Sequence, residues 1–330
     1  RCGVAKFSVD ARHGKPVLVY TMAITLKDEG EESAYAGASP CVCFTQPARF
    51  SFSVGDTALK TRPVVVGLGP AGLFAALLLA RSGFRPLVLE RGPELDERVK
   101  AVEHFEKTGE LNLNANIQFG EGGAGTFSDG KLTTRVGDPL CAFVTDAFLQ
   151  HGAPADIAWR QKPHVGTDLL RGIIRSIRQE IIALGGEVRF NTALTGLKIE
   201  NGALAGVETT AGDFACEQLI LAVGHSARDT FAMLHRQGMP LECKPFSVGF
   251  RAEHLQTDID RGLYHAAAGH PALPPGEHPL RRLLDAGAAV FGFRFAVRHF
   301  PTWSPPPFTR LYAGGEPNRA AIQKQRESMR

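Results

Sequence analysis

The sequence predicts an α/β fold, and three observations carry the prediction. Val64, Val65 and Val66 form a β-branched run that stops at Gly67, and two further glycines stand at 69 and 72. Leu73 to Ala80 is an unbroken apolar stretch of helical length. Leu87 to Leu89 is a second short apolar run, and Glu90 ends it. Strand, glycine turn, helix, strand and terminal acid in that order make one parallel βαβ unit, because a parallel strand covered on both faces reads as continuously apolar.

Each piece has its physical reason. Gly67, Gly69 and Gly72 fit G-x-G-x-x-G. The first permits the tight turn, the second lets backbone approach a pyrophosphate, and the third lets helix and strand pack closely. The helix expected over Leu73 to Ala80 aims its unpaired amides and positive dipole end at that phosphate. Gly83 is its expected stop. Glu90, with Arg91 beside it, then sits where a carboxylate takes the ribose hydroxyls of an adenosine. A ligand-free βαβ turn is the competing account of the three glycines alone, and the ordered context speaks for an adenine dinucleotide. NAD and FAD are not separated by this unit.

Residues 1 to 60 read as a small N-terminal α+β domain. Lys6 to Asp10 and Val17 to Leu26 are expected strands joined through a turn at His13-Gly14-Lys15-Pro16. Beyond the βαβ unit, Arg98 to Glu110 is polar with helical spacing. Next comes a glycine-rich segment from Leu111 to Arg135, in which Gly120, Gly122 and Gly125 satisfy the dinucleotide pattern a second time. The residues after these glycines are Thr126, Phe127, Ser128, Asp129 and Gly130, turn and cap formers in place of an apolar helix, so the expectation is a loop whose amides form a concave nest near a ligand. Lys131 at its exit is a candidate cation for a phosphate or a reduced flavin ring; a solvated loop lysine is the alternative.

Residues 141 to 185 read as helical, most clearly over Asp168 to Ala183. Short strands come next at Glu187 to Phe190, Thr195 to Glu200, Ala205 to Thr209 and Asp213 to Cys216, with Asn201-Gly202 as a hairpin turn. Gln218 to Val223 then forms an apolar strand that ends at Gly224. A β-meander that returns an apolar strand to the sheet is the layout of flavoproteins, which favours FAD over NAD.

Composition bounds the function. The chain has 330 residues and a formal net charge of +3, but the last 50 residues hold nine Arg or Lys against three Asp or Glu, so the rest is net acidic. That distribution offers no basic face for nucleic acid. No apolar run is long enough to span a bilayer, and no secretory leader is visible. Cys2, Cys41, Cys43, Cys141, Cys216 and Cys243 include no C-x-x-C pair, which argues against a disulfide framework or zinc site and suits a cytoplasmic protein.

Four motifs occur in order: VVVGLGPAGLFAALLLA, NIQFGEGGAGTFSDGKLTTR, KPHVGTDLL from Lys162 to Leu170, and AVGHSARDTF from Ala222 to Phe231. Together with SVDAR (Ser8 to Arg12) and IDRGLYHAAAGHPALPP (Ile259 to Pro275), they resemble a family of uncharacterised bacterial and plastid FAD-dependent dehydrogenases. The resemblance implies a Rossmann-like, glutathione-reductase-like FAD-binding domain with an inserted substrate domain. It puts Gly67, Gly69, Gly72 and Glu90 on the ADP half of FAD, with Pro70, Ala71 and Arg91 beside them. Gly122, Gly123, Ser128, Asp129 and Lys131 fall near the pyrophosphate, ribityl chain or isoalloxazine, and Gly224 with His225 at the strand end near the cofactor.

The expected division is an N-terminal domain to residue 60, FAD-binding parts over 61–135 and 136–232, the start of an incomplete substrate domain over 233–280, and a divergent tail. After Leu280 the resemblance stops, and Pro305-Pro306-Pro307 with an arginine excess reads as poorly ordered. A shift of coding frame near residue 281 is the expectation, with a divergent genuine C-terminus as the alternative.

The function expected is that of an oxidoreductase in which FAD performs the redox step on a small molecule of unknown identity, with NAD(P)H as a candidate electron donor. Lys131 is the candidate for stabilising the reduced ring and His225 for proton transfer, the latter because His titrates near neutral pH. Rival readings are an FAD-binding protein linked to RNA modification or scaffolding, and an inactive truncated product.

Overall fold

The computed structural model describes residues 2–11, 15–27, 32–35, 40–45, 50–127, 132, 138–160, 163–242 and 255–276. The chain divides into two compact units: Arg1–Pro47 with Ala158–Pro163 and Glu242–Ser304, and Ala48–Ile157 with His164–Leu241 and Pro305–Arg330.

In the first unit, β1 (Cys2–Asp10) and β2 (Val17–Ile24) pair antiparallel, from Cys2 opposite Ile24 to Asp10 opposite Val17. β1 begins earlier than its apolar pattern suggests, because ladder pairing continues to its first residues. Phe7 donates its amide to the Trp159 carbonyl at 2.8 Å and sets its ring edge-on to Trp159. The short helix α1 (Glu32–Tyr35) also belongs here.

The second unit is built on a parallel sheet. β3 (Val64–Val66), α2 (Pro70–Arg81) and β4 (Leu87–Leu89) form the βαβ unit where the sequence places it. The next helices are α3 (Leu95–Thr108), α4 (Leu140–Gln150) and α5 (Thr167–Ala183). The stretch read as helical from 141 to 185 is therefore two helices. The break falls at His151-Gly152-Ala153-Pro154, where Gly152 takes φ +96 and Pro154 cannot continue the α4 ladder.

β5 (Glu187–Arg189) joins the parallel sheet, and β6 (Leu194–Glu200), β7 (Ala203–Thr209) and β8 (Gly212–Ala215) make the expected antiparallel meander. Asn201 at φ 52 and Gly202 at φ 79 supply its first turn, both central residues being left-handed as a type I′ turn demands. β9 (Leu219–Leu221) then returns, giving the order β5-β4-β3-β9 with all pairs parallel. After it comes α6 (Arg228–Arg236), while α7 (Gln256–Tyr264) belongs to the first unit.

Alternation along the strands divides the core in two. Val65 and Val88 point to one face with Leu73, Leu77, Ile173 and Ile177 from α2 and α5. Val64, Val66, Leu87 and Leu89 point to the other, against Leu197 and Val207 of the meander and Met233 and Leu234 of α6. Val65, Val66, Val88 and Leu89, at the centre and C-terminal end of the two strands, are all buried. Covering both faces fixes the C-terminal edge of the sheet, and the glycine turn sits on that edge.

Candidate functional site: a glycine elbow at the sheet's C-terminal edge

Gly67 leaves β3 at φ +97, a conformation that L side chains rarely adopt, and a Cβ there would stand 2.5 Å from the Ala222 carbonyl oxygen beyond β9. At Gly72 a Cβ would fall on the carbonyl oxygen of Gly67, so helix and turn pack at a distance only glycine allows. Gly69 is different. Its φ is −68°, open to any residue, and nothing lies within 4 Å of the place a Cβ would take.

That open space lies before the first turn of α2. Gly69 is the N-cap, Pro70 is the first helical residue, and no side chain caps the helix. The amide of Leu73 turns back to the Gly69 carbonyl at 2.9 Å, while the Ala71 and Gly72 amides precede the first intrahelical bond and face outward with the dipole. The arrangement suits an anionic group that requires close backbone approach.

Glu90 at the tip of β4 is 3% exposed. Its Oε2 accepts the Leu68 amide and its Oε1 the Gly92 amide, each at 2.8 Å. The carboxylate is thus turned into the elbow and holds it, and each oxygen keeps a lone pair for another donor. Arg91 turns the other way: its guanidinium meets the Asp229 carboxylate in the first turn of α6 at 2.5 Å. The hydrogen bond from Arg91 is the main reason the Asp229 carboxyl is held below its ordinary range.

The second glycine segment comes to the same place. Gly122 donates its amide to the Leu68 carbonyl at 2.8 Å, and a Cβ on Gly123 would stand 2.6 Å from Pro70 Cδ. Gly120, Gly122 and Gly123 all have positive φ, at 116°, 77° and 66°. The chain then makes a 3-10 turn, Gly123–Phe127, and no α-helix, so the second dinucleotide pattern is a docked loop as its turn-forming residues indicate. Ser128, Asp129 and Lys131 lie outside the described residues. Gly224, at φ +74 with open space at its Cβ position, and His225, exposed, come after β9 at the same edge of the sheet.

Sequence reasoning missed Arg98 and Glu121. Arg98 occupies an inward position of α3 between Leu95 and Val102 and is fully buried. The 95-98-102-105 spacing, three apolar residues and one arginine on the buried face, was the available signal. Burial brings the Arg98 pKa down to about 10, against the opposing pull of Glu90 and Glu121. Glu121 is equally buried. Its Oε2 accepts the Leu95 amide at 2.8 Å, its Oε1 lies 2.7 Å from Arg178, and burial pushes its carboxyl above the usual range despite that partner.

Residues 171–308 match the family model described as FAD dependent oxidoreductase, DAO. An uncharacterized protein of Clostridium beijerinckii is 50% identical over 230 residues, 70% of this chain and 43% of its own length. Digeranylgeranylglycerophospholipid reductase 1 of Methanococcoides burtonii is 31% identical over 218 residues, 64% of this chain and 49% of its own. The chain therefore spans less than half the length of these two curated relatives. Among solved structures, glycine oxidase from Bacillus cereus is 14% identical, covers 55% of this chain and 60% of its own, and superposes with a TM-score of 0.35. The glycine elbow lies before the matched segment, and the strand, turn and helix it belongs to form a parallel βαβ unit. Over residues 171–308 the chain is thus similar to the FAD dependent oxidoreductase family.

Proposed function

We propose that the protein binds FAD at the glycine elbow and acts as a dehydrogenase-type oxidoreductase on a small molecule. The observation that carries this reading is the uncapped start of α2 with open space over Gly69, walled by Gly122 and Gly123 and backed by Glu90. When bound, FAD supplies the two-electron redox chemistry.

The chain's own residues divide the remaining work. The Ala71 and Gly72 amides face the diphosphate, with Gly67 and Gly69 letting it approach and Pro70 opening the helix. Glu90, its oxygens each with one acceptor site left, takes ribose hydroxyls. Arg91 shapes the rim through its pair with Asp229. Gly122 and Gly123 form the opposite wall, and Ser128, Asp129 and Lys131, next in sequence, are assigned to the ring end by the resemblance. Lys131 supplies positive charge there, and His225 with Gly224 provides a proton donor or acceptor at the edge of the sheet.

NAD(P)H is the proposed electron donor. The domain division at about residues 60, 135, 232 and 280 belongs to the same proposal. Among the described residues no helix is long and apolar enough to cross a membrane. Cys2, Cys41, Cys43, Cys141 and Cys216 form no disulfide, which supports the proposed cytoplasmic location.

The test is the visible absorption spectrum of the purified protein with and without added FAD, and then on addition of NAD(P)H or dithionite. A bound flavin spectrum that bleaches on reduction is expected. Failure of the wild-type protein to take up FAD overturns the reading.

A further inference from the structure

We infer that Arg98 is a positioning residue for the FAD site: its buried guanidinium fixes the second glycine loop against the elbow. The inference rests on the FAD reading above. Arg98 donates to four backbone carbonyls: Nε to Asn116 at 3.0 Å, Nη1 to Glu121 at 2.5 Å, and Nη2 to Ile117 at 3.2 Å and to Gly123 at 3.0 Å. The guanidinium also lies over the Phe127 ring, 4.9 Å from its centroid. One planar fork thereby gathers both ends of the segment from Asn116 to Phe127.

The direction of those peptides matters. A carbonyl and the next residue's amide belong to one rigid plane and point opposite ways. Drawing the Glu121 carbonyl onto Arg98 turns the Gly122 amide outward, and that amide is the one that reaches the Leu68 carbonyl of the elbow. Drawing the Gly123 carbonyl inward likewise turns the Ala124 amide away from Arg98. A cation inside the loop thus aims the Gly122 amide at the Leu68 carbonyl of the elbow, which docks the loop as one wall of the space over Gly69. Space enforces it: a Cβ on Gly120 would stand 2.8 Å from Arg98 Nε.

Lysine cannot replace this. A point-like ammonium has three donors and no plane, so it keeps the charge but not four carbonyls at fixed angles. Arg98 has no route to the ligand except through the loop, because it is itself fully buried.

The test is hydrogen exchange on the apoprotein together with FAD titration, for wild type and Arg98→Lys. In the wild type, the Gly122 and Gly123 amides are expected to exchange as slowly as those of α3. In Arg98→Lys they exchange faster while α2 and α3 keep their protection, and FAD binds at least about tenfold more weakly, the equivalent of one charge-assisted hydrogen bond. Ethylguanidinium added to Arg98→Ala restores FAD binding, and ethylammonium does not. Unprotected loop amides in the wild type, or an Arg98→Lys protein that binds FAD as well as wild type, overturns the inference. A wild-type protein that shows slow loop exchange but takes no FAD refutes the FAD reading and leaves the loop's fixation by Arg98 standing. The wild-type exchange measurement decides the matter even where the variants do not fold.

Discussion

The Leu68 amide donates to Glu90 Oε2 at 2.8 Å, which joins the turn after β3 to the tip of β4. The acid that sequence spacing assigns to a ribose is therefore also the internal brace of the elbow. Because Glu90 is buried, its loss leaves the Leu68 and Gly92 amides without acceptors. Glu90→Ala is expected to destabilise the protein by about 2–4 kcal/mol, the scale for two buried donors losing a charged partner. Urea unfolding of the apoprotein measures it, and FAD affinity falls with it.

Gly69 and Gly72 separate binding from folding. Alanine at 69 meets open space and an ordinary φ, so Gly69→Ala is expected to leave stability within about 0.5 kcal/mol while FAD affinity drops. Alanine at 72 collides with the Gly67 carbonyl, and Gly72→Ala is expected to cost at least about 2 kcal/mol through overpacking. Paired denaturation curves and FAD titrations give both numbers; equal stability losses for the two variants would contradict the proposed cradle.

Glu180 sets part of the acid stability. It accepts from Arg81 at 2.7 Å and lies 2.8 Å from His151 Nε2, and the Arg81 hydrogen bond is the largest cause of its lowered pKa. A carboxyl lowered in the fold contributes stability that is present above its unfolded pKa and is lost as pH falls through the folded value. Glu180→Gln is expected to flatten the loss of Tm on acidification below the ordinary glutamate range. Melting curves from neutral pH into that range read it out.

Arg91 and Asp229 form a pair with side chains 28% and 60% exposed. Solvent screens such a pair, so Arg91→Gln is expected to change stability by less than about 1 kcal/mol. A chemical-denaturation midpoint within that margin, alongside a distinct loss of FAD affinity, would assign Arg91 to the site's rim.

The βαβ unit and the meander were legible because each is specified locally. Val64 to Val66, the glycine spacing and Asn201-Gly202 constrain φ, ψ and burial through near neighbours alone. The helical reading of residues 141–185 erred on one such local signal, since Gly152 and Pro154 divide it. The inward place of Arg98 on α3 was visible in its spacing with Leu95, Val102 and Phe105, yet a polar residue there has no meaning until its partners are known.

By itself, then, the sequence determined an α/β protein with a glycine turn before a helix start and an acid at the next strand's end. Only the tertiary structure decided that Gly122 and Gly123 close on Leu68 and Pro70, that Glu90, expected to take ribose hydroxyls, also braces the turn, and that Arg98 lies inside the loop. The reason is range. Dihedral preference and periodicity act over a few residues, whereas a buried guanidinium and the carbonyls that satisfy it come from segments that meet only when the sheet and its helices have packed.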